Sequence, residues 1–281
     1  MMTMPELGAN ELERHLADDF RRLFGSSHEE KAERLGSAAR IAIECLSKSD
    51  ALYHNVEHTF LVTLVGRDIL HGRLLTERLE PDDYTHLTVA CLLHDIGYVR
   101  GILRGDGKGR FVVDESGRTV TLKRGASDAA LAPYHVDRSK IFIRERFECS
   151  PLIDVERVAR AVEFTRFPAD RPSGDVAEDR EGRLVQAADL IGQLGDPLYL
   201  KKANALFYEF EEIGLNAQCG YASPADMVER YPDFYWKSVS PYLDDAIAHL
   251  NVTASGRRWI AGLHSHVFCA EHGLSLMGPQ R

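Results

Sequence analysis

Two histidines four residues apart, His54 and His58 in Tyr53-His54-Asn55-Val56-Glu57-His58, are followed thirty-six residues later by the adjacent pair His94-Asp95 in Leu92-Leu93-His94-Asp95-Ile96-Gly97. Neutral imidazole binds zinc, iron, manganese or nickel, and a carboxylate accepts harder ions and can bridge two of them. Neighbouring side chains on a helix point about 100° apart, so His94 and Asp95 reach a single ion only from different sides of it, or a two-ion site with Asp95 between the ions. One more carboxylate is needed. Asp189 in Leu184-Val185-Gln186-Ala187-Ala188-Asp189-Leu190-Ile191 is the best candidate, because two alanines let its helix approach others and an acid amid apolar residues needs a partner. Asp196, seven residues on, is its rival.

The elements that must hold these groups read as helices. Phe60, Leu61, Leu64, Val65 and Ile69 recur at three- and four-residue spacing from Val56 to Arg78, which gives one buried face. Pro81 suits a first turn, and Leu87, Val89, Ala90, Leu92 and Leu93 carry a second helix that Gly97 is expected to end. If the first of these helices begins before His54, both histidines share a face. If Asn55 is the N-cap, His54 sits at the mouth of the site.

His58, His94-Asp95 and Asp189 resemble the H...HD...D signature of the HD-domain metal-dependent phosphohydrolase superfamily, and Tyr53-His54-Asn55-x-x-His58 is similar to the YHNxxH form of its cyclic-nucleotide phosphodiesterase branch. The match covers roughly residues 50–195. The resemblance implies that His58, His94, Asp95 and Asp189 are metal ligands, that one or two divalent ions are the cofactor, and that His54 is the proton donor, with catalysis shared between His54 and Asp95. Iron, manganese, zinc, nickel and magnesium all suit this donor set. The expected reaction is hydrolysis of a small phosphate ester, a nucleotide or related monoester or diester, by metal-activated water. The substrate stays broad: no histidine follows His94-Asp95 until His135, and no Gln lies between Gln218 and Gln280, so two further marks of the cyclic-nucleotide enzymes are missing. The ppGpp-hydrolase extension HDxxED is missing too. His135 is a candidate further ligand or substrate contact, and Lys140 and Arg144, with Arg166, Lys201 and Lys202, are candidate phosphate contacts. A di-iron oxygenase on the same fold and a silent metal-binding regulatory module are the rival readings; the first is short of histidines.

The whole chain, 281 residues, reads as one all-α, HD-domain-like helical bundle with a β-hairpin insertion at about 110–124. Core motifs span 50–195, with N-terminal helices 9–47 (Glu11 to Phe24 and Glu29 to Leu46, Ser27 as N-cap) and C-terminal helices 198–268 packed on them. Further helices are expected at Ser139 to Phe147, Ile153 to Thr165, Pro224 to Tyr231, Phe234 to Leu250 and Gly256 to Phe268, with a loop from Pro168 to Gly182. Phe111-Val112-Val113 and Thr119-Val120-Thr121-Leu122 around Asp114-Glu115-Ser116-Gly117 give the hairpin, either a surface excursion or a mobile cover for the site. A net charge of −9 offers no footprint for nucleic acid and points to a small phosphorylated molecule as partner. No apolar run is long enough to span a membrane, the N-terminus lacks a leader pattern, and five dispersed cysteines read as reduced thiols, so the expected location is cytoplasmic.

Overall fold

The computed structural model describes residues 3–167 and 179–273. The described chain is mostly helical with one small antiparallel hairpin, as the sequence pattern predicts. Helices α1 (Met4–Phe24) and α2 (Glu29–Leu46) form a pair laid over α4 (Pro81–Leu93). The first begins earlier than its apolar pattern because Thr3 caps it in a reciprocal box with Glu6 and Pro5 occupies its first turn. Ser27 is not the cap of α2; it lies in a short 3-10 turn, Ser26–His28, that leads into the helix.

Helix α4 is the centre of the molecule. Every residue from Tyr84 to Leu93 is buried, which is why its apolar residues are not confined to one stripe. Helix α3 (Val56–Thr76) packs against it so closely that a Cβ on Gly66 would stand 2.7 Å from Cys91 Sγ. Helix α7 (Arg180–Leu194) packs against both α3 and α4, and Gly192 would meet the Val62 backbone at 2.9 Å if it carried a Cβ. Small residues thus draw α3, α4 and α7 together at the level of the histidines. One continuous cluster of buried apolar side chains runs from α1 through these three helices to Leu263 and Val267 of α13 (Ala254–Glu271).

Several boundaries differ from the sequence pattern. Helix α5 starts at His135 and not at Ser139, running to Phe147, and α6 covers Val155–Glu163. Of the expected loop from Pro168 to Gly182, residues 168–178 lie outside the described residues, and α7 begins at Arg180 under an Asp179 cap. After α8 (Tyr199–Glu212), α9 (Leu215–Cys219) and α10 (Pro224–Glu229), the stretch expected as one helix from Phe234 to Leu250 is broken: α11 is Tyr231–Phe234, a π turn covers Tyr235–Val239, a 3-10 turn at Ser240–Tyr242 accommodates Pro241, and α12 is Asp244–Leu250.

The hairpin pairs β1 (Arg110–Val112) with β2 (Thr119–Thr121), Arg110 opposite Thr121. Its root is held by Arg138, fully buried on α5. That guanidinium donates to the carbonyls of Gly97 at 2.7 Å, Val99 at 2.8 Å and Val112, and to both oxygens of Asp106. Asp106 in turn accepts from the backbone N–H of Gly101 at 3.0 Å and Val112 at 2.8 Å. A buried ion pair of this kind, with its donors spent on backbone carbonyls, fixes the segment from Gly97 to Val113 to α5. Of the two readings of the hairpin, surface excursion or mobile cover, this tie at the root favours the first.

Candidate metal centre

Each proposed ligand is positioned by a separate device. Asn55 is the N-cap of α3, its Oδ1 accepting from the Glu57 N–H at 2.9 Å and the His58 N–H at 3.4 Å. This places His58 in the first turn of the helix and leaves His54 just outside it, which settles the question of the helix start. His94 closes α4, and its Nδ1 lies 2.8 Å from the Cys91 carbonyl. A carbonyl can only accept, so Nδ1 carries the hydrogen and Nε2 is left to face the cluster. Gly97 does not cap the helix as expected. It lies in the turn Ile96–Tyr98 and donates its N–H to Ser139 Oγ at 2.9 Å, and a Cβ there would stand 1.9 Å from the His135 carbonyl oxygen. Its lack of a side chain lets α5 press against the His94-Asp95 corner.

The result is a convergence of ligand atoms. His58 Nε2 and His94 Nε2 are 3.4 Å apart, Asp95 Oδ2 lies 3.3 and 3.1 Å from them, and Asp189 Oδ1 lies 3.2 and 3.5 Å from the same two nitrogens. His58, His94 and Asp95 are buried, with one donor atom each within 4.8 Å of the others; Asp189 is partly open to solvent. An ion about 2.0–2.2 Å from each donor gives donor–donor edges of about 3.3–3.6 Å in a tetrahedron and about 2.8–3.1 Å at right angles, so the observed edges suit a small divalent ion. Asp95 Oδ2 and His58 Nδ1 are buried without a hydrogen-bond partner. A buried carboxylate oxygen with no donor, facing two imidazole nitrogens, is an arrangement that a cation resolves. Burial works against ionisation of Asp95, yet His94 and His58 hold its carboxyl well below the usual range. Burial likewise opposes charge on His94, and Asp95 and Asp189 raise it above the ordinary histidine value. The same negative field attracts a metal ion.

Around this cluster stand three rings. Tyr98 is stacked between His54, at 4.7 Å and 10°, and His135, at 4.6 Å and 26°. His135 Nδ1 lies 2.5 Å from the Ala132 carbonyl, so its Nε2 is free and points at Asp95 Oδ1 from 3.7 Å. His54 Nδ1 lies 2.5 Å from Glu209 Oε2, while Glu209 Oε1 accepts the backbone N–H of Tyr53 at 2.6 Å and of His54 at 3.2 Å. Burial works against a charged His54, but Glu209, with Asp95 and Asp189 further off, pushes it up to about 9. Glu209 and Tyr98 escaped the sequence reading. Glu209 sits in the acidic run Glu209-Phe210-Glu211-Glu212 with nothing local to distinguish it, and Tyr98 had a signal only in its nearness to His94-Asp95.

Three of the cationic candidates are placed elsewhere. Lys140 is held by Glu163 at 2.6 Å and Asp137 at 3.0 Å, Arg144 by Glu156 and Glu115, and Arg166 by Glu163 and Asp137. None of them joins the cluster. Asp196, the rival acid, pairs with Lys202 at 2.6 Å; with His58, Tyr53 and Glu57 the two line a cavity of about 90 Å³ beside the cluster. Among the described residues, no helix is long and apolar enough to cross a membrane, and all five cysteines are free.

Neither the curated proteins nor the solved structures give a match to this sequence. The family profile described as Npun_R2479-like matches residues 3–273, which takes in α1, the whole histidine–aspartate cluster and α13. The chain belongs to the Npun_R2479-like family.

Proposed function

We propose that this chain is a metal-dependent phosphohydrolase of the HD-domain kind, acting in the cytoplasm on a small phosphate ester such as a nucleotide or a related phosphomonoester or diester. The reading is carried by one observation: His58, His94, Asp95 and Asp189 bring their donor atoms to one point, with His54 held at its edge by Glu209. These four residues would hold a divalent ion, and Asp95 Oδ1 with His135 Nε2 would hold a second. Such an ion, when bound, supplies a Lewis acid for a phosphoryl oxygen and lowers the pKa of a bound water towards neutrality.

The remaining chemistry belongs to the chain's own groups. Glu209 keeps a hydrogen on His54 Nδ1, so Nε2 is the atom that gives its proton to the departing alkoxide, a step commonly worth about 10²–10⁴-fold. Tyr98 fixes the planes of His54 and His135 by stacking on both.

The test is a screen of the purified chain against phosphomonoesters, cyclic nucleotides and nucleoside triphosphates, with and without chelator. Hydrolysis of at least one class, lost on chelation and restored by a divalent ion, is the expected result. His54→Ala should retain metal and lose far more turnover on an alkyl ester than on a nitrophenyl ester, whose leaving group departs without a proton. A metal-loaded chain inert to every class would refute the assignment in favour of a binding module, and iron content with oxygen uptake would refute it in favour of an oxygenase.

A further inference from the structure

The net charge of −9 conceals an uneven distribution. Residues 104–124 carry six basic side chains and three acidic ones, a surplus of three, so the remainder of the chain holds −12. The cations are also unevenly placed within the hairpin. At its 114–118 end, charge is matched: Arg118 pairs with Asp114 at 2.7 Å, and Glu115 with Arg144 of α5. At the opposite end the chain reverses at Gly107-Lys108-Gly109-Arg110, closed by paired backbone bonds between Gly107 and Arg110 at 2.9 and 3.0 Å. Arg110 stands across from Thr121, and Lys123 and Arg124 follow within three residues. Lys108, Arg110, Lys123 and Arg124 are all exposed, and none makes an ion pair among the described residues.

Lys108 adds an independent observation. Among the described residues it is the one non-glycine residue with positive φ, 52°, in a turn whose neighbour Gly109 has φ 76°. Glycine suits that conformation and a side chain strains it. A lysine is therefore held at the apex against the local backbone preference, and its solvent-exposed chain gains no packing in return.

From these observations we propose that this end of the hairpin is a docking site for the sugar–phosphate backbone of a single-stranded nucleic acid. Arginine and lysine side chains and threonine hydroxyls are among the donors that hold phosphate oxygens, and here four free cations adjoin the exposed Thr119 and Thr121. Strands of three residues span about 10 Å, the reach of a few nucleotide steps and not of a duplex groove. The acidic body limits contact to this short footprint. A lipid surface fits poorly, since none of the exposed large apolar side chains falls between 101 and 134 to enter a bilayer. Arg138 ties the hairpin root to Gly97 and Val99, just beyond Asp95, so the docking end is rigidly mounted on the corner that carries the metal pair. The proposal stands apart from the hydrolase reading.

Fluorescence anisotropy of a short labelled oligothymidylate with the full chain tests it. Four phosphate contacts at about −0.7 each in the logarithmic salt slope predict an affinity that falls about 50-fold between 50 and 200 mM salt. The combined variant Lys108→Gly, Arg110→Gln, Lys123→Gln, Arg124→Gln should lose at least about tenfold in affinity at 50 mM salt, with metal content unchanged and a thermal midpoint no lower than that of the wild type. The proposal is overturned by no salt-dependent binding of the wild type, by equal binding of the variant, or by tighter binding to a polyglutamate peptide or phosphatidylserine vesicles than to the oligonucleotide.

Discussion

Replacing Glu209 by Gln leaves the shape of the site and removes the one carboxylate in direct contact with His54. Gln can still accept the N–H groups of Tyr53 and His54, which now approach Oε1 at 2.6 and 3.2 Å, so the loop before α3 should keep its position. What changes is charge. In the metal-free protein three carboxylates lift His54 to about 9 against the effect of burial, and Glu209 acts most strongly because it is bonded to Nδ1. Without it the value should fall by about 1–3 units, the range for losing an adjacent opposite charge, at about 1.4 kcal/mol per unit. Because the folded value lies above the unfolded one, the stability His54 contributes is complete below the ordinary histidine range near 6.5 and is lost as pH rises through about 9. In the variant that loss should move to lower pH with it. Bound cations would offset the pull of Asp95 and Asp189, which leaves Glu209 as the main determinant in the loaded protein too. The assay is histidine-resolved NMR titration of chelator-stripped wild type and Glu209→Gln, followed by kcat against pH for the loaded proteins, where the alkaline limb should shift down with it. Superimposable titrations would refute the role given to Glu209.

Other consequences can be checked by simpler means. Asp19, buried between α1, α3 and α4, accepts from Arg67 at 3.0 Å, Tyr84 Oη at 2.7 Å and His71 at 2.6 Å, and these partners hold its carboxyl far below the usual range despite burial. Asp19→Asn should cost about 1–3 kcal/mol in denaturant unfolding, since it weakens three buried hydrogen bonds while Arg67 keeps Asp68 at 3.2 Å, and, since the folded value is depressed, the wild-type advantage should be present above about pH 4 and fade as pH falls. Gly97→Ala should lower both stability and metal retention, because a Cβ 1.9 Å from the His135 carbonyl oxygen forces α5 away from the His94-Asp95 corner; unchanged metal content would contradict this. Lys140→Ala and Arg144→Ala should leave kcat/KM nearly unchanged, since their charges are taken up by Glu163, Asp137, Glu156 and Glu115.

The helical class and the four converging residues were legible because both depend on local regularity. Apolar spacing from Phe60 to Ile69 marks α3, and His58, His94-Asp95 and Asp189 lie in apolar surroundings where polar groups need a reason. The remainder depends on contacts between distant segments. Glu209 reaches His54 across 155 residues, and Arg138 is an arginine whose full burial no spacing rule announces. A helix stop is a local role that sequence suggests for Gly97, whereas in the structure its missing side chain serves the close approach of α5. Lys140 and Arg144 looked available because sequence does not show that the acids Glu163 and Glu156 of α6 face them.

The most direct test of the metal centre is the equilibrium metal content of the chelator-stripped chain after reloading, measured by mass spectrometry for wild type and for His94→Ala with Asp95→Ala. The account predicts at least one divalent ion per wild-type chain and essentially none in the double variant, with an intermediate loss for Asp189→Ala. Equal metal content in the wild type and a folded double variant would contradict it.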